Sequence, residues 1–257
     1  IEKIMDFVTV ISLLMAGMIC GIVNVIGGGG SLLALPVLLA LGLPAGVANG
    51  TNRIAILLQD IVAVTTFHKQ KQLPLREGFI LSVPVIIGAM VGAWLAAEYL
   101  TETILNIVIL LLTVLMIAAL FFQPDKWTRI KNSIVFRGLT VSNFILLFFI
   151  GFYGGFIQAG FTYLVLAVLV LRMGHNMVTG DALKLFLNLM IIPVALIIFI
   201  YHAQIVWNYG LLMGVGSAVG GYWGVKFVRT WSPVFIRSIL LILLVLSALY
   251  IIFFRMM

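Results

Sequence analysis

The chain has 257 residues, of which 63% are hydrophobic and 9% charged, and its mean hydropathy is +1.26. Soluble domains carry about 25% charged residues, so the composition excludes one. The net charge of +7 does not indicate nucleic acid, because the basic residues sit in short loops between apolar runs, the positive-inside pattern of an inner-membrane protein.

In chain order, the first apolar run, 7–26, follows Glu2, Lys3 and Asp6 and can cross a hydrocarbon core of ~30 Å as a helix. Its length, and its match to a later segment, read it as a span and not as a signal peptide. It breaks at Gly27-Gly28-Gly29-Gly30, followed by Ser31 and a segment, 31–43, that is too short to cross alone. Next comes a polar knot, Ala48-Asn49-Gly50-Thr51-Asn52-Arg53, whose Asn49, Thr51 or Asn52 suits the N-cap of a short third span at 54–67. That span carries Gln59 and Asp60, and an acidic residue inside a span marks an ion or proton path. The basic loop from His68 to Arg76 belongs in the cytoplasm, and the acidic loop Glu98–Thr103 outside. Spans at 78–97 and 104–122 flank the acidic loop. The first of them carries Gly88 and Gly92, spaced for close helix packing.

Beyond a basic linker, the same features return. Gly17, Gly21 and Asn24 are answered about 134 residues later by Gly151, Gly155 and Gln158, which run into Gly160. Gly88 and Gly92 are answered by Gly220 and Gly224, and the polar knot by Thr179-Gly180-Asp181-Ala182-Leu183-Lys184, with Thr179 or Asp181 as the cap. Spans are expected near 135–157, 160–171, 183–200, 210–225 and 233–254. The basic loop near residue 70 aligns with the uncharged loop 201–209, and the acidic loop near residue 100 with Lys226 and Arg229. Equivalent loops thus fall on opposite sides. The expected fold is an all-α polytopic membrane protein of two inverted-topology repeats, each of about five helical segments, with broken or short helices at the glycine-rich motifs. The first repeat is 1–122, the cytoplasmic linker 123–134 and the second repeat 135–257. Eight full spans with two re-entrant hairpins is the alternative.

Glycine backbone at a helix start inside a membrane offers N–H groups at a partially positive helix end, which attracts anions. Such amides are tolerated at membrane depth only where protein or a watery cavity satisfies them. The expected substrate-binding set is therefore Asn24, Gly27, Gly28, Gly29, Gly30, Ser31, Gln158, Gly160 and Thr162 at the two breaks, completed by Thr51, Asn52 and Lys184. Arg53 ranks below these. Asp60 and Asp181 are candidates for ion coupling, and Asn188 lies one turn beyond Lys184 on its face. Tyr153 and Tyr163 flank the second break. His68, His175 and His202 share no metal-ligand spacing and read as exposed loop residues. Cys20 has no partner for an intramolecular disulfide. No metal, cofactor or enzyme motif is found.

In their order along the chain, the break from Asn24 through Gly27–Gly30 to Ser31, then Leu35-Pro36, then Ala48-Asn49-Gly50-Thr51-Asn52, resemble the sulfite exporter TauE/SafE family of membrane transporters. The weaker second copy, Gly151–Gly160 with Thr179-Gly180, extends the resemblance over essentially the whole chain. The resemblance implies a multi-pass transporter of the bacterial inner membrane, without a cofactor, that moves sulfite, organosulfonates such as sulfoacetate, or related small acids. The expectation is a secondary transporter working by alternating access, with a proton as the candidate coupling ion; an anion channel, or a carrier of another small organic acid, is the alternative. Its partners are then a small anion and the lipid bilayer, with no nucleic acid; monomer and homodimer both stay open. The second copy has Asp181-Ala182 where the first has Thr51-Asn52, so one site dominated by the first copy is expected.

Overall fold

The computed structural model describes residues 6–26, 29–122 and 139–230, with six further helical positions between Ser238 and Leu249. Gly27, Gly28, the expected linker and most of the last expected span lie outside the described residues. The described chain folds as α1 (Phe7–Ile26), α2 (Gly30–Ala40), α3 (Ala45–Lys69), α4 (Leu75–Tyr99), α5 (Glu102–Phe122), α6 (Val141–Phe156), α7 (Phe161–Ala167, continued by a π-turn, Val168–Arg172), α8 (Met177–Tyr201) and α9 (Trp207–Thr230). Among the described residues all regular structure is helical, and α1, α4 and α8 are long and apolar enough to cross a membrane. Large apolar side chains such as Phe7, Phe79, Val83, Trp94, Phe149 and Ile197 point outward, as a lipid-facing surface requires.

Two glycine seams hold the bundle together. In one, α1 and α9 run parallel: Gly17 and Gly21 lie against the carbonyls of Met213 and Ser217, and Gly216 and Gly220 against those of Leu14 and Met18. In the other, α4 and α6 run parallel: Gly88 and Gly92 lie against the carbonyls of Phe148 and Phe152, and Gly151 and Gly155 against those of Val85 and Ala89. Any Cβ at these positions would collide with the facing carbonyl, so the small side chain sets the helix separation. Gly88, Gly92 and Gly220 therefore serve packing, as their spacing predicts.

α3 and α8 run antiparallel. Gly50, near the start of α3, abuts the Gln204 carbonyl just after α8. The loop Lys71–Pro74 after α3 faces Asn176, Val178 and Thr179 at the start of α8. α4 and α8 run parallel, joined near their starts by Glu77–His175 and near their ends by Glu98–His202. Glu98–Thr103 and 201–209 consequently lie together, and Gln204 Nε2 donates to the Ala97 carbonyl at 2.9 Å. The charge of the two loops predicts that they share a side, and they do.

The third span of each half is not short. α3 and α8 are each 25 residues long, about 37 Å at 1.5 Å per residue. The expected starts at 54 and 183 are too late, and so are the expected caps. Pro44 occupies the N-cap of α3, and Asn176 caps α8 by accepting from the Thr179 N–H at 2.9 Å. The polar knots continue as helix because their side chains bond to other helices rather than to their own backbone, which removes the competition that favours caps.

Candidate functional site

The two helix breaks meet halfway along α3 and α8. On one side α1 ends at Ile26 and α2 begins at Gly30, with Gly29 at its N-cap. Gly30 packs on the Cys20 carbonyl and on Asn24 Cβ, and Ser31 beside it is buried. On the other side α6 ends at Phe156 and α7 begins at Phe161. Between them Gln158 and Gly160 adopt positive φ, +68° and +76°. Gly160 takes that conformation without strain, whereas Gln158 is held in it by its side-chain partners. Tyr153 reaches back across the break and donates its hydroxyl to the Ala159 carbonyl.

Helix ends leave carbonyls unpaired, and in hydrocarbon each needs a donor. The donors come from the opposite half. Arg53 of α3 donates Nη1 to the Gly154 carbonyl at 3.0 Å and Nη2 to the Gly155 carbonyl at 2.5 Å. Asn49, one turn earlier, donates Nδ2 to the Phe156 carbonyl at 2.8 Å. In return Lys184 of α8 donates Nζ to the Val25 carbonyl at the end of α1, at 3.0 Å. Lys184 also pairs with Asp181, one turn away on its own helix, at 2.6 Å. Each half thus caps the broken helix of the other with its own cation.

A buried hydrogen-bond network joins the breaks. Arg53 Nη1 donates to Gln158 Oε1 at 2.6 Å, Gln158 Nε2 to Asn188 Oδ1 at 2.5 Å, and Asn188 Nδ2 to Asp60 Oδ2 at 2.7 Å. From the other side Thr162 Oγ1 donates to Asn24 Oδ1 at 3.1 Å, Asn24 Nδ2 to Gln59 Oε1 at 3.3 Å, and Gln59 Nε2 to Asp60 Oδ1 at 2.8 Å. Asp60 is the terminal acceptor of both arms.

Of the residues singled out from sequence, Asn24, Gln158, Thr162 and Asp60 belong to this network, Lys184 caps α1 while paired with Asp181, and Gly29, Gly30, Ser31 and Gly160 build the breaks. Asn52 is buried beside Arg53, and its Nδ2 has no hydrogen-bond partner. Thr51 stands apart. Its hydroxyl accepts from the Val206 N–H at 3.0 Å, fastening the loop before α9. Sequence reasoning undervalued Arg53, Asn49 and Gln59, whose partners lie in distant parts of the chain. His175 is not an exposed loop residue: it is buried and 2.7 Å from Glu77.

Arg53 has the unusual environment. It is 0% exposed and stacks over the Phe199 ring at 5.1 Å, with no carboxylate in ion-pair contact among the described residues. Its Nε is buried without a hydrogen-bond partner. A buried cation that meets only neutral oxygens and keeps an unpaired donor of its own is a place where an anion is electrostatically welcome. Nothing among the described residues gathers three or more metal-ligating side chains.

Residues 13–251 match the family model described as "Sulfite exporter TauE/SafE". The chain is 26% identical over 229 residues to a probable membrane transporter protein of Haemophilus influenzae, covering 88% of each. It is 28% identical over 231 residues to the probable membrane transporter protein YfcA of Escherichia coli K12, covering 90% of this chain and 84% of that one. A probable membrane transporter protein, ORF9, of a Sinorhizobium species is 26% identical over 232 residues, with coverage of 90% and 87%. No solved structure matches significantly. The glycine breaks, the buried polar network and the match over nearly the whole length agree, and the chain belongs to the sulfite exporter TauE/SafE family of membrane transporters.

Proposed function

We propose that the protein is a secondary transporter of small sulfur-containing anions, sulfite or an organosulfonate such as sulfoacetate, in the bacterial inner membrane. Its two halves, 1–122 and 135–257, form inverted repeats. The helix directions support this: α1 and α9 lie parallel, as do α4 and α6, whereas the equivalent helices α3 and α8 run oppositely. The anion binds between the breaks, against Arg53, Asn52, Gln158, Asn24 and Thr162, and access alternates as the packed helices around the breaks rock. The observation that carries this reading is Arg53, a fully buried guanidinium without a carboxylate partner among the described residues and with an unpaired Nε. A planar fork of donors suits an oxyanion.

The test is uptake of radiolabelled sulfite and sulfoacetate by proteoliposomes containing the purified full-length protein. Uptake above that of empty liposomes, accelerated by unlabelled anion on the far side, supports a carrier. Flux without that acceleration supports a channel. Asn52→Leu deletes the unpaired donor without touching a hydrogen bond. It is expected to lower affinity about tenfold, the equivalent of one lost bond of ~1.4 kcal/mol. Unaltered affinity in that variant, or no flux with any sulfur anion, overturns the reading.

A further inference from the structure

The buried network contains two cations, Arg53 and Lys184, and two carboxylates, Asp60 and Asp181. Lys184 and Asp181 neutralise one another in direct contact. Arg53 and Asp60 remain, and they do not touch. They are joined through two amides, and each bond on that path points the same way, from Arg53 through Gln158 and Asn188 to Asp60. Asp60 also accepts from Gln59 on its other oxygen. A carboxyl group that accepts on both oxygens and donates nothing is bound as the carboxylate. With Asp60 ionised, the buried groups sum to zero charge.

We propose that Asp60 is the coupling-proton site, and that one proton binds there for each monoanion bound at Arg53. This rests on the anion-transport reading above. An anion entering beside Arg53 gives the buried cluster one negative charge too many. A net charge held away from water costs several kcal/mol, and the cluster sheds it by protonating Asp60. The reverse holds as well. Protonating Asp60 without an anion strands the Arg53 charge. The two ligands therefore favour one another, and reciprocally.

The hydrogen bonds supply the means. Once protonated on Oδ2, Asp60 donates to Asn188 Oδ1. The Asn188 and Gln158 amides turn over, and Gln158 Nε2 then faces Arg53 Nη1. Arginine accepts no hydrogen bond. Two donors now face each other, and only an acceptor between them satisfies both. An anion oxygen fits there. The second arm ends at the Thr162 hydroxyl, which can accept or donate, so it reverses without a ligand and favours neither state.

Other groups near Asp60 do not supply the missing charge. α8 contributes Lys184, already paired with Asp181. α1 contributes the buried Cys20 thiol and Asn24. α9 packs on Gln59 through Gly221 and keeps Tyr222 and Lys226 on its exposed face. α2 carries no titratable side chain, and Glu102 of α5 lies exposed at that helix's start.

The test is isothermal titration calorimetry of the full-length protein in nanodiscs. The probes are methanesulfonate and isethionate, monoanions with no group that titrates near neutrality. Titrations at one pH in buffers of different ionisation enthalpy count the protons taken up. The wild type is expected to take up about one proton per anion, its affinity falling about tenfold per pH unit on the alkaline side. D60N, held neutral, is expected to bind with no proton uptake and a flat pH profile. Binding by the wild type without proton uptake overturns the proposal, and so does D60N that still takes up a proton. Absence of uptake by the wild type overturns the proposal even where D60N does not fold. If neither sulfonate nor sulfite binds the wild type at any pH, the anion-transport reading itself fails, and this inference falls with it.

Discussion

Arg53→Met is the most informative single substitution. The side chain donates three hydrogen bonds to buried acceptors, the Gly154 and Gly155 carbonyls and Gln158 Oε1. Bonds to a charged group contribute about 1.5–3 kcal/mol each, so three amount to about 4.5–9 kcal/mol. The stacking over Phe199 contributes about 1–2 kcal/mol more. Against this, methionine no longer carries a charge into the core, which returns several kcal/mol. The difference leaves Arg53→Met destabilised by about 2–5 kcal/mol. Arg53→Lys keeps the charge but loses the fork, because an ammonium cannot serve two successive carbonyls and the Gln158 amide in the same geometry. It is expected to lie between methionine and the wild type in stability. Unfolding of the purified protein in micelles by titrated sodium dodecyl sulfate, followed by tryptophan fluorescence, measures the stability. Flux into proteoliposomes measures the function, and both variants are expected to fall below a tenth of wild-type anion flux, a loss of about 1.4 kcal/mol or more. Unchanged unfolding and unchanged flux in Arg53→Met would refute both the capping role and the anion site.

Three further measurements test the surrounding framework. Lys184→Met strands Asp181 in the core and is expected to cost about 3–5 kcal/mol; adding Asp181→Leu should recover part of that, with a coupling energy of about 1–3 kcal/mol in a double-mutant cycle, and additive effects would deny the pair. Gly155→Ala drives a methyl into the Ala89 carbonyl and should cost about 1–3 kcal/mol in the same unfolding assay, whereas Gly46→Ala meets only the pliable Gln204 side chain at 3.1 Å and should cost less than half as much; equal effects would remove the seam argument. Glu77→Gln breaks a buried contact to His175 at 2.7 Å and should lower the thermal midpoint clearly, while Glu98→Gln, whose partner His202 is 3.3 Å away and whose own side chain is 47% exposed, should shift it little, an exposed pair contributing about 0–1 kcal/mol.

The landmarks legible in the sequence were those that the chain states locally. Asn24 and the glycine break, the bounds of α1, the helix-packing glycines and the shared side of the loops at 98–103 and 201–209 all follow from runs of neighbouring residues. The knot at Ala48–Arg53 was misread as a cap because its composition is that of a cap. Nothing local tells that Asn49 and Arg53 find their acceptors 107 and 101 residues away. Given those partners, the helix runs straight through. Lys184 shows the same limit. Its carbonyl partner is 159 residues distant, so sequence could mark it as a cation at a helix start but not as the cap of the other half. His175 looked exposed because it precedes a helix in a short polar stretch; Glu77, which buries it, belongs to α4.

The two sequence halves do not pack as two bodies. α4 of the first half is seated on α6 of the second, and α9 of the second on α1 of the first, each along a seam of glycines too close to slide. The units that would move in the proposed cycle are therefore mixed: α1, α2, α3 and α9 on one side, α4, α6, α7 and α8 on the other. Between them the polar network crosses repeatedly. Arg53 reaches from the first unit to Gly154, Gly155 and Gln158 on the second, Lys184 from the second to Val25 on the first, and Asn188 from the second to Asp60. Rocking one unit against the other must break these bonds in hydrocarbon, where each orphaned group costs several kcal/mol. A transporter cannot cycle quickly against such a sum unless something takes the bonds over as they part. In the proposed cycle an anion held by Arg53 satisfies the guanidinium while it leaves the α6 carbonyls, and a proton on Asp60 removes the charge that would otherwise be stranded when its donors part. On the proposed mechanism the bonds that join the two units are those that the two ligands replace, so the empty carrier is expected to turn over slowly and the loaded one fast.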